Sequence, residues 1–146
     1  MSVGRICIRT VDTVDPEETA LTAARRMADR NVGTLVVLDE RRQPVGIVTD
    51  RDLTIRVLAQ SRDPVETRVR SIMTTDIETV SEATPIEDAL QRMRRGPCRR
   101  IPVVKGDGTL AGLLSLDDIL DLLAEEFDSI GRILRQESPA TLGVIE

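Results

Sequence analysis

The chain repeats itself at a constant offset of 66 positions without a gap, which restricts the fold to two copies of one structural unit. Thr13-Val14 lies over Thr79-Val80, Arg26-Met27 over Arg92-Met93, Val37 over Val103, and Gly46-Ile47-Val48-Thr49 with Asp52 over Gly112-Leu113-Leu114-Ser115 with Asp118. Apolar character persists where identity lapses, with Leu35 over Ile101, Leu38 over Val104 and Leu53 over Ile119. In 146 residues each copy is near the size at which burial barely offsets chain entropy, so the copies are expected to pack together. Function is then carried out twice, or in a groove between them.

Each copy reads as strand, helix, strand, strand, helix. In the second, Ile77 to Val80 is a strand signal, and Thr84-Pro85-Ile86-Glu87 supplies an N-cap, a proline at the first helical position and a capping-box carboxylate. Ile86, Ala89, Leu90 and Met93 then mark one face of a helix over 85–95, which Gly96-Pro97 stops. Arg100 to Val104 and Leu110 to Leu114 form a hairpin about the turn Lys105-Gly106-Asp107-Gly108, with a second helix from Leu116. The first copy runs through Val11 to Val14, a helix to about Asp29 whose start falls at Asp15-Pro16 or Thr19, Leu35 to Leu38, the turn 39–44, Val45 to Val48, and a helix over 50–59. The expected division is a first repeat over 6–62, a polar linker over 63–71, a second repeat over 72–125 and a helical extension with a loose tail over 126–146.

Composition excludes several chemistries. With no His, Trp or Tyr and one Phe, the chain lacks the commonest acid-base group, the usual zinc ligand and the aromatic platforms on which bases stack. Neither Cys7 nor Cys98 has a histidine to activate it, and no nucleophile elbow or zinc-protease pattern occurs, so the reading is non-catalytic, without a metal. The cysteines occupy different places in the repeat and are expected to be reduced and buried. No apolar run approaches the roughly 20 residues of a membrane span, and no signal-peptide stretch opens the chain, so a cytoplasmic location is the default.

The repeated Gly-x-x-Thr/Ser-x-x-Asp pattern sits where a strand ends and a helix begins. Amides and the positive end of a helix dipole face an anion there, a Thr49 or Ser115 hydroxyl can bond a phosphate, and Asp52 or Asp118 can accept ribose hydroxyls. The same residues form capping boxes that need no ligand, and both roles can coexist.

The β-α-β-β-α order, the strand Arg100-Ile101-Pro102-Val103-Val104 and the paired endings Gly-Ile-Val-Thr-Asp-Arg-Asp-Leu (46–53) and Gly-Leu-Leu-Ser-Leu-Asp-Asp-Ile (112–119) resemble tandem CBS domains, the family named for cystathionine beta-synthase. The resemblance spans roughly residues 6 to 125. The first copy departs from it in having Leu35-Val36-Val37-Leu38 for the usual Leu-Pro-Val-Val strand. The resemblance implies an α/β (α+β) fold, a Bateman module of two pseudo-symmetric repeats packed sheet to sheet, with two clefts that hold adenine nucleotides in many relatives. By the family's arrangement Ser115 and Asp118 share one cleft with Val32, Gly33 and Arg100, while Thr49 and Asp52 share the other with Cys98 and Arg99. AMP, ADP, ATP, NAD and S-adenosylmethionine all offer the adenosine such clefts take, and no obligatory cofactor is implied.

Five arginines crowd residues 92–100, and guanidinium forks suit phosphate. Arg92, Arg94 and Arg95 also suit a helix C-terminus, where cations complement the dipole. Arg99 and Arg100 lead into the strand, and their counterparts Gly33 and Thr34 are uncharged, so unequal sites are expected. In the last helix Leu116, Leu120, Leu123, Phe127, Ile130 and Leu134 alternate at spacings of four and three, a packing seam that outruns the first copy's helix and points to a homodimer. The preferred function is a regulatory module that senses an adenine nucleotide and acts on a further, unidentified protein. The alternative is nucleic-acid binding or scaffolding through the arginines with empty clefts, against which the net charge of −5 weighs.

Overall fold

The computed structural model describes residues 1–96 and 99–145, with side chains through Glu137. The first repeat comprises β1 (Thr13–Val14), α1 (Ala20–Arg30), β2 (Thr34–Leu38), β3 (Pro44–Thr49) and α2 (Asp50–Asp52), which continues as a π-helical turn over Leu53–Leu58. The second comprises β4 (Val80–Ser81), α3 (Ile86–Arg95), β5 (Arg100–Val104), β6 (Leu110–Ser115) and α4 (Leu116–Ile145). Each repeat forms a three-stranded sheet, in which the first strand runs parallel to the second and the hairpin partner antiparallel to it. Even the irregularity repeats, between Val37 and Leu38 in one sheet and Val103 and Val104 in the other.

Local chemistry fixes the helix starts. Thr19 is the N-cap of α1, its hydroxyl accepting the Thr22 N–H at 3.2 Å, while Asp15 closes a turn onto the Glu17 N–H at 2.8 Å. The expected cap at Thr84 is not made. Pro85 occupies the N-cap position of α3 without a side-chain bond, and the Thr84 hydroxyl is spent on the Ser81 N–H at 3.0 Å. The Met1 carbonyl takes the Ile86 N–H instead, at 3.2 Å. Arg26 and Arg92 are the same brace in the two copies: Arg26 donates to the Thr13 carbonyl at 2.8 Å and Arg92 to that of Thr79, so each ties its helix to the segment feeding the parallel strand. Arg92 is thus a structural tie rather than a solvated dipole partner.

Alternation sends Leu35, Val37 and Val48 to one side of the first sheet, under α1, where they meet Ala20, Ala23 and Met27. Ile101, Val103 and Leu114 do the same in the second, with Ile86, Ala89 and Ile119. Val36, Ile47 and Pro102 point the other way and are nevertheless fully buried, as facing sheets require. The turn tips meet as well, the Leu110 N–H donating to the Arg42 carbonyl at 3.1 Å.

Each core is completed by the other repeat's leading segment. Val3 and Cys7 belong to the second repeat's core, whereas their counterparts Val69 and Met73, with Ile72, pack in the first. Ile8 exchanges both backbone bonds with Leu113 at 2.9 Å, and Thr74 does so with Ile47 at 2.8 and 3.0 Å. The linker expected over 63–71 therefore ends in a 3₁₀ turn, Val69–Ser71, that buries Val69 as the matching turn Val3–Arg5 buries Val3. The tail expected to be loose from Ser138 is helical to Ile145. No helix among the described residues is long and apolar enough to cross a membrane.

The exchange needs glycine at the crossings. A Cβ on Gly112 would stand 2.8 Å from the Ile8 carbonyl and 2.9 Å from the Cys7 sulfur, and one on Gly46 would stand 2.8 Å from the Met73 sulfur. Gly112→Ala is expected to cost about 1–3 kcal/mol by overpacking, read as a lower urea midpoint in far-UV circular dichroism. An unchanged midpoint would show that the leading segment is not held against β6.

Candidate functional site

Two clefts lie where the strand ends of one repeat face the helix start of the other. The first has a volume of about 460 Å³ and is lined by Gly33, Thr34, Thr49, Asp52, Arg99 and Arg100 among others. The second, about 390 Å³, is lined by Val32, Gly33, Thr34, Arg100, Ser115 and Asp118 among others. Both fall within the range of small-molecule sites, about 300–1,000 Å³. Thr49, Asp52 and Arg99 thus line the first cleft and Val32, Ser115 and Asp118 the second, while Gly33 and Arg100, expected in the second alone, line both. Cys98 lies outside the described residues. A third concavity, bordered by Asp15, Glu17, Asp39 and Glu40, lies away from these helix starts.

Register explains the convergence. Thr34 stands opposite Thr49 across β2 and β3, and Arg100 opposite Ser115 across β5 and β6, so the residue opening each inner strand faces the residue that caps the helix. The first helical amide then closes onto the residue before the strand: Asp50 N–H donates to the Gly33 carbonyl at 3.0 Å, and Leu116 N–H to that of Arg99 at 2.9 Å.

Both capping boxes form. Asp52 N–H reaches the Thr49 hydroxyl at 3.2 Å and the Asp52 carboxylate takes the Thr49 N–H at 2.9 Å; Ser115 and Asp118 pair likewise at 3.1 and 2.9 Å. In the first cleft the Arg51 N–H is also used, by the Asp50 carboxylate at 2.8 Å. The expectation of free helix-start amides facing an anion is therefore corrected for Thr49, Arg51, Asp52, Ser115 and Asp118, whose N–H groups short polar side chains take from within the turn. Each aspartate spends only Oδ2 on its cap. Oδ1 of Asp52 lies 3.7 Å from Nε of Arg56, whereas Oδ1 of Asp118 has no bond to a described residue.

Two features escape a sequence reading. Arg56 donates to the carbonyls of Ile72 and Met73 at 3.0 and 3.3 Å, linking the first cleft to the exchanged segment, and its position in the second repeat is Leu122. Thr34 is only 8% exposed, and its hydroxyl has no hydrogen-bond partner among the described residues, on a wall shared by both clefts. The buried, unpaired threonine could be found only once the register was known. Arg99 and Arg100 are exposed, and neither guanidinium bonds a described residue. No cluster of His, Cys, Asp or Glu that could hold a metal occurs among the described residues. Cys7 is buried, and that burial pushes its thiol pKa above the usual value, leaving it protonated and inert at neutral pH.

The CBS domain family model matches residues 3–59 and 69–125. The chain belongs to the CBS domain family. It is 37% identical over 122 residues to an uncharacterized protein of Methanopyrus kandleri, covering 84% of this chain and 62% of that protein. It is also 37% identical over 109 residues to the CBS domain-containing protein YhcV of Bacillus subtilis, covering 75% of this chain and 76% of that one. Against several Arabidopsis thaliana CBS proteins the chain spans 23% of their length. Among solved structures, the CBS domain pair of protein MJ0100, in complex with 5′-methylthioadenosine and S-adenosyl-L-methionine, superimposes with a TM-score of 0.76 at 25% identity, covering 86% of this chain and 98% of that one. The matched segments begin at Val3 and Val69, the residues that open the exchanged turns.

An unpaired buried hydroxyl costs about 1–3 kcal/mol. Thr34→Val keeps the shape and removes that cost, so a gain of about 1 kcal/mol in unfolding free energy is expected from chemical denaturation. A loss of similar size would mean that the hydroxyl has a partner in the free protein.

Proposed function

We propose that this CBS pair is a non-catalytic regulatory module whose clefts bind adenine nucleotides and pass their occupancy to the geometry of a homodimer. The observation that carries the proposal is the joint lining of each cleft by a strand opening from one repeat and a capped carboxylate from the other. Such a cleft changes shape when the repeats move relative to each other, so a ligand bridging them has differential affinity for the arrangements. The MJ0100 pair, which carries two adenosine derivatives, supports the ligand class. In this reading Asp118 Oδ1 accepts the ribose hydroxyls, and Arg100, Val32 and Gly33 line the same cleft. Thr49, Asp52, Arg99 and Cys98 form the matching set. The Thr34 hydroxyl gains a partner when a polar ligand group reaches the shared wall.

Binding is tested by absorbance and calorimetry. With no Trp or Tyr the protein is nearly transparent at 280 nm, so a 260 nm band after desalting reports a co-purified nucleotide. Asp118→Asn keeps an acceptor for the Ser115 N–H while removing the charge, so it is expected to lower nucleotide affinity about tenfold with little effect on the urea midpoint. Equal affinity in calorimetry returns Asp118 to a purely capping role.

The dimer half of the proposal rests on α4. Phe127 is 72% exposed, and Leu120, Leu123, Ile130 and Leu134 are about half exposed along the same four-and-three stripe. Monomers rarely leave so long an apolar seam in water. Phe127→Asp with Ile130→Asp is expected to convert a dimer to a monomer in light scattering, with the circular dichroism of the repeats retained; a wild-type monomer at tens of micromolar removes this half. The nucleic-acid alternative has the exposed Arg99 and Arg100 in its favour, and predicts binding that weakens steeply with added salt.

A further inference from the structure

We propose that the two clefts sort ligands by charge: the first takes an anionic, phosphate-bearing adenosine compound, and the second an uncharged or cationic one. The inference rests on the adenosine reading above and goes beyond it by assigning a different ligand class to each cleft. Because the helix-start amides are mostly spent on caps, side-chain charge decides what each cleft attracts. The first cleft is lined by Arg51, Arg56, Arg99 and Arg100 against Asp50 and Asp52. The second is lined by Arg100 alone against Asp12, Asp117 and Asp118. Asp12 is held by Arg30 at 2.8 Å, and discounting it still leaves two carboxylates against one guanidinium.

The contrast arises from divergence at equivalent positions of the repeat. Arg51 corresponds to Asp117, Arg56 to Leu122, and Gly33 and Thr34 to Arg99 and Arg100. Neither Arg51, Arg99 nor Arg100 spends its guanidinium on a described residue, so all three are available to phosphate oxygens in the bidentate geometry arginine favours. Arg100 lines both clefts. Phosphate that draws it into the first cleft removes the one guanidinium that lines the second among the described residues, and the second then becomes more favourable to a positive ligand. The buried Thr34 hydroxyl, unpartnered on the common wall, is an independent sign that a polar group belongs there.

Three probes decide this in calorimetric titrations of the whole chain: ATP, uncharged adenosine, and S-adenosylmethionine, whose sulfonium and ammonium groups are cationic. ATP and S-adenosylmethionine are expected to bind together, one of each per chain. Arg99→Glu, which touches only the first cleft, should weaken ATP about tenfold and leave S-adenosylmethionine unchanged; Asp117→Lys, which touches only the second, should do the reverse. Both side chains are exposed, so unchanged urea midpoints establish that the variants are folded. Competition of ATP with S-adenosylmethionine for one cleft, or equal weakening of both ligands by either variant, overturns the assignment. Binding of adenosine with no distinction between ATP and S-adenosylmethionine overturns the charge sorting alone. Absence of heat with all three probes removes the adenosine reading, and this inference with it.

Discussion

The reciprocal exchange of leading segments is the constraint on which the molecule depends. Val3 and Val69 are each fully buried in the core of the repeat they do not precede, so neither repeat has a complete core without its neighbour's chain. Sheet-to-sheet contact through Val36, Ile47 and Pro102 could in principle slide, because apolar faces are not directional. The backbone pairs Ile8 with Leu113 and Thr74 with Ile47 remove that freedom by fixing register. The clefts inherit the precision: Gly33 is brought near Ser115 and Asp118, and Arg99 and Arg100 near Thr49 and Asp52, only because the two repeats are locked at one offset.

Under the proposed function the capping boxes do two jobs with one set of atoms. A carboxylate whose Oδ2 is held by a backbone N–H has little rotameric freedom left, so its second oxygen is presented in a fixed direction at small entropic cost on binding. The same bond uses up the amide that an anion would otherwise seek. Under the proposed function, cap and ligand roles coexist for the aspartates but compete for the helix-start donors, which would move phosphate recognition onto guanidinium groups. Arg56 adds a second difference between clefts, since it holds the first cleft's aspartate toward the Ile72 and Met73 carbonyls, where the other repeat has Leu122.

Much of this was legible in the sequence. The offset of 66, the hairpins and the capping boxes follow from motifs whose chemistry is local, a glycine-led strand, a hydroxyl cap, an aspartate three residues on, whereas the grouping of lining residues is what the resemblance to tandem CBS domains implies. The segment exchange was not legible, because residues 2–8 and 68–74 form a single 3₁₀ turn each and carry no periodicity long enough to read. Thr84 misled because a hydroxyl before a proline can cap the helix or the preceding turn, and the Ser81 N–H competes for it. The Thr34 hydroxyl is informative only through what surrounds it, and no pattern of neighbours along the chain records an absent partner.

Duplication followed by divergence explains why the scaffold tolerates unequal clefts. The braces Arg26 and Arg92, the two capping boxes and the glycines at 46 and 112 are duplicated and hold backbone. The residues that differ, 33 and 34 against 99 and 100, 51 against 117 and 56 against 122, line the clefts except Leu122, which packs against the second core, and carry charge in only one copy or with opposite sign. A surface charge change away from a structural pair shifts stability by about 0.5 kcal/mol or less. The repeats were thus free to differ in electrostatics while keeping the same strand order and register, and a guanidinium that lines both clefts joins them physically.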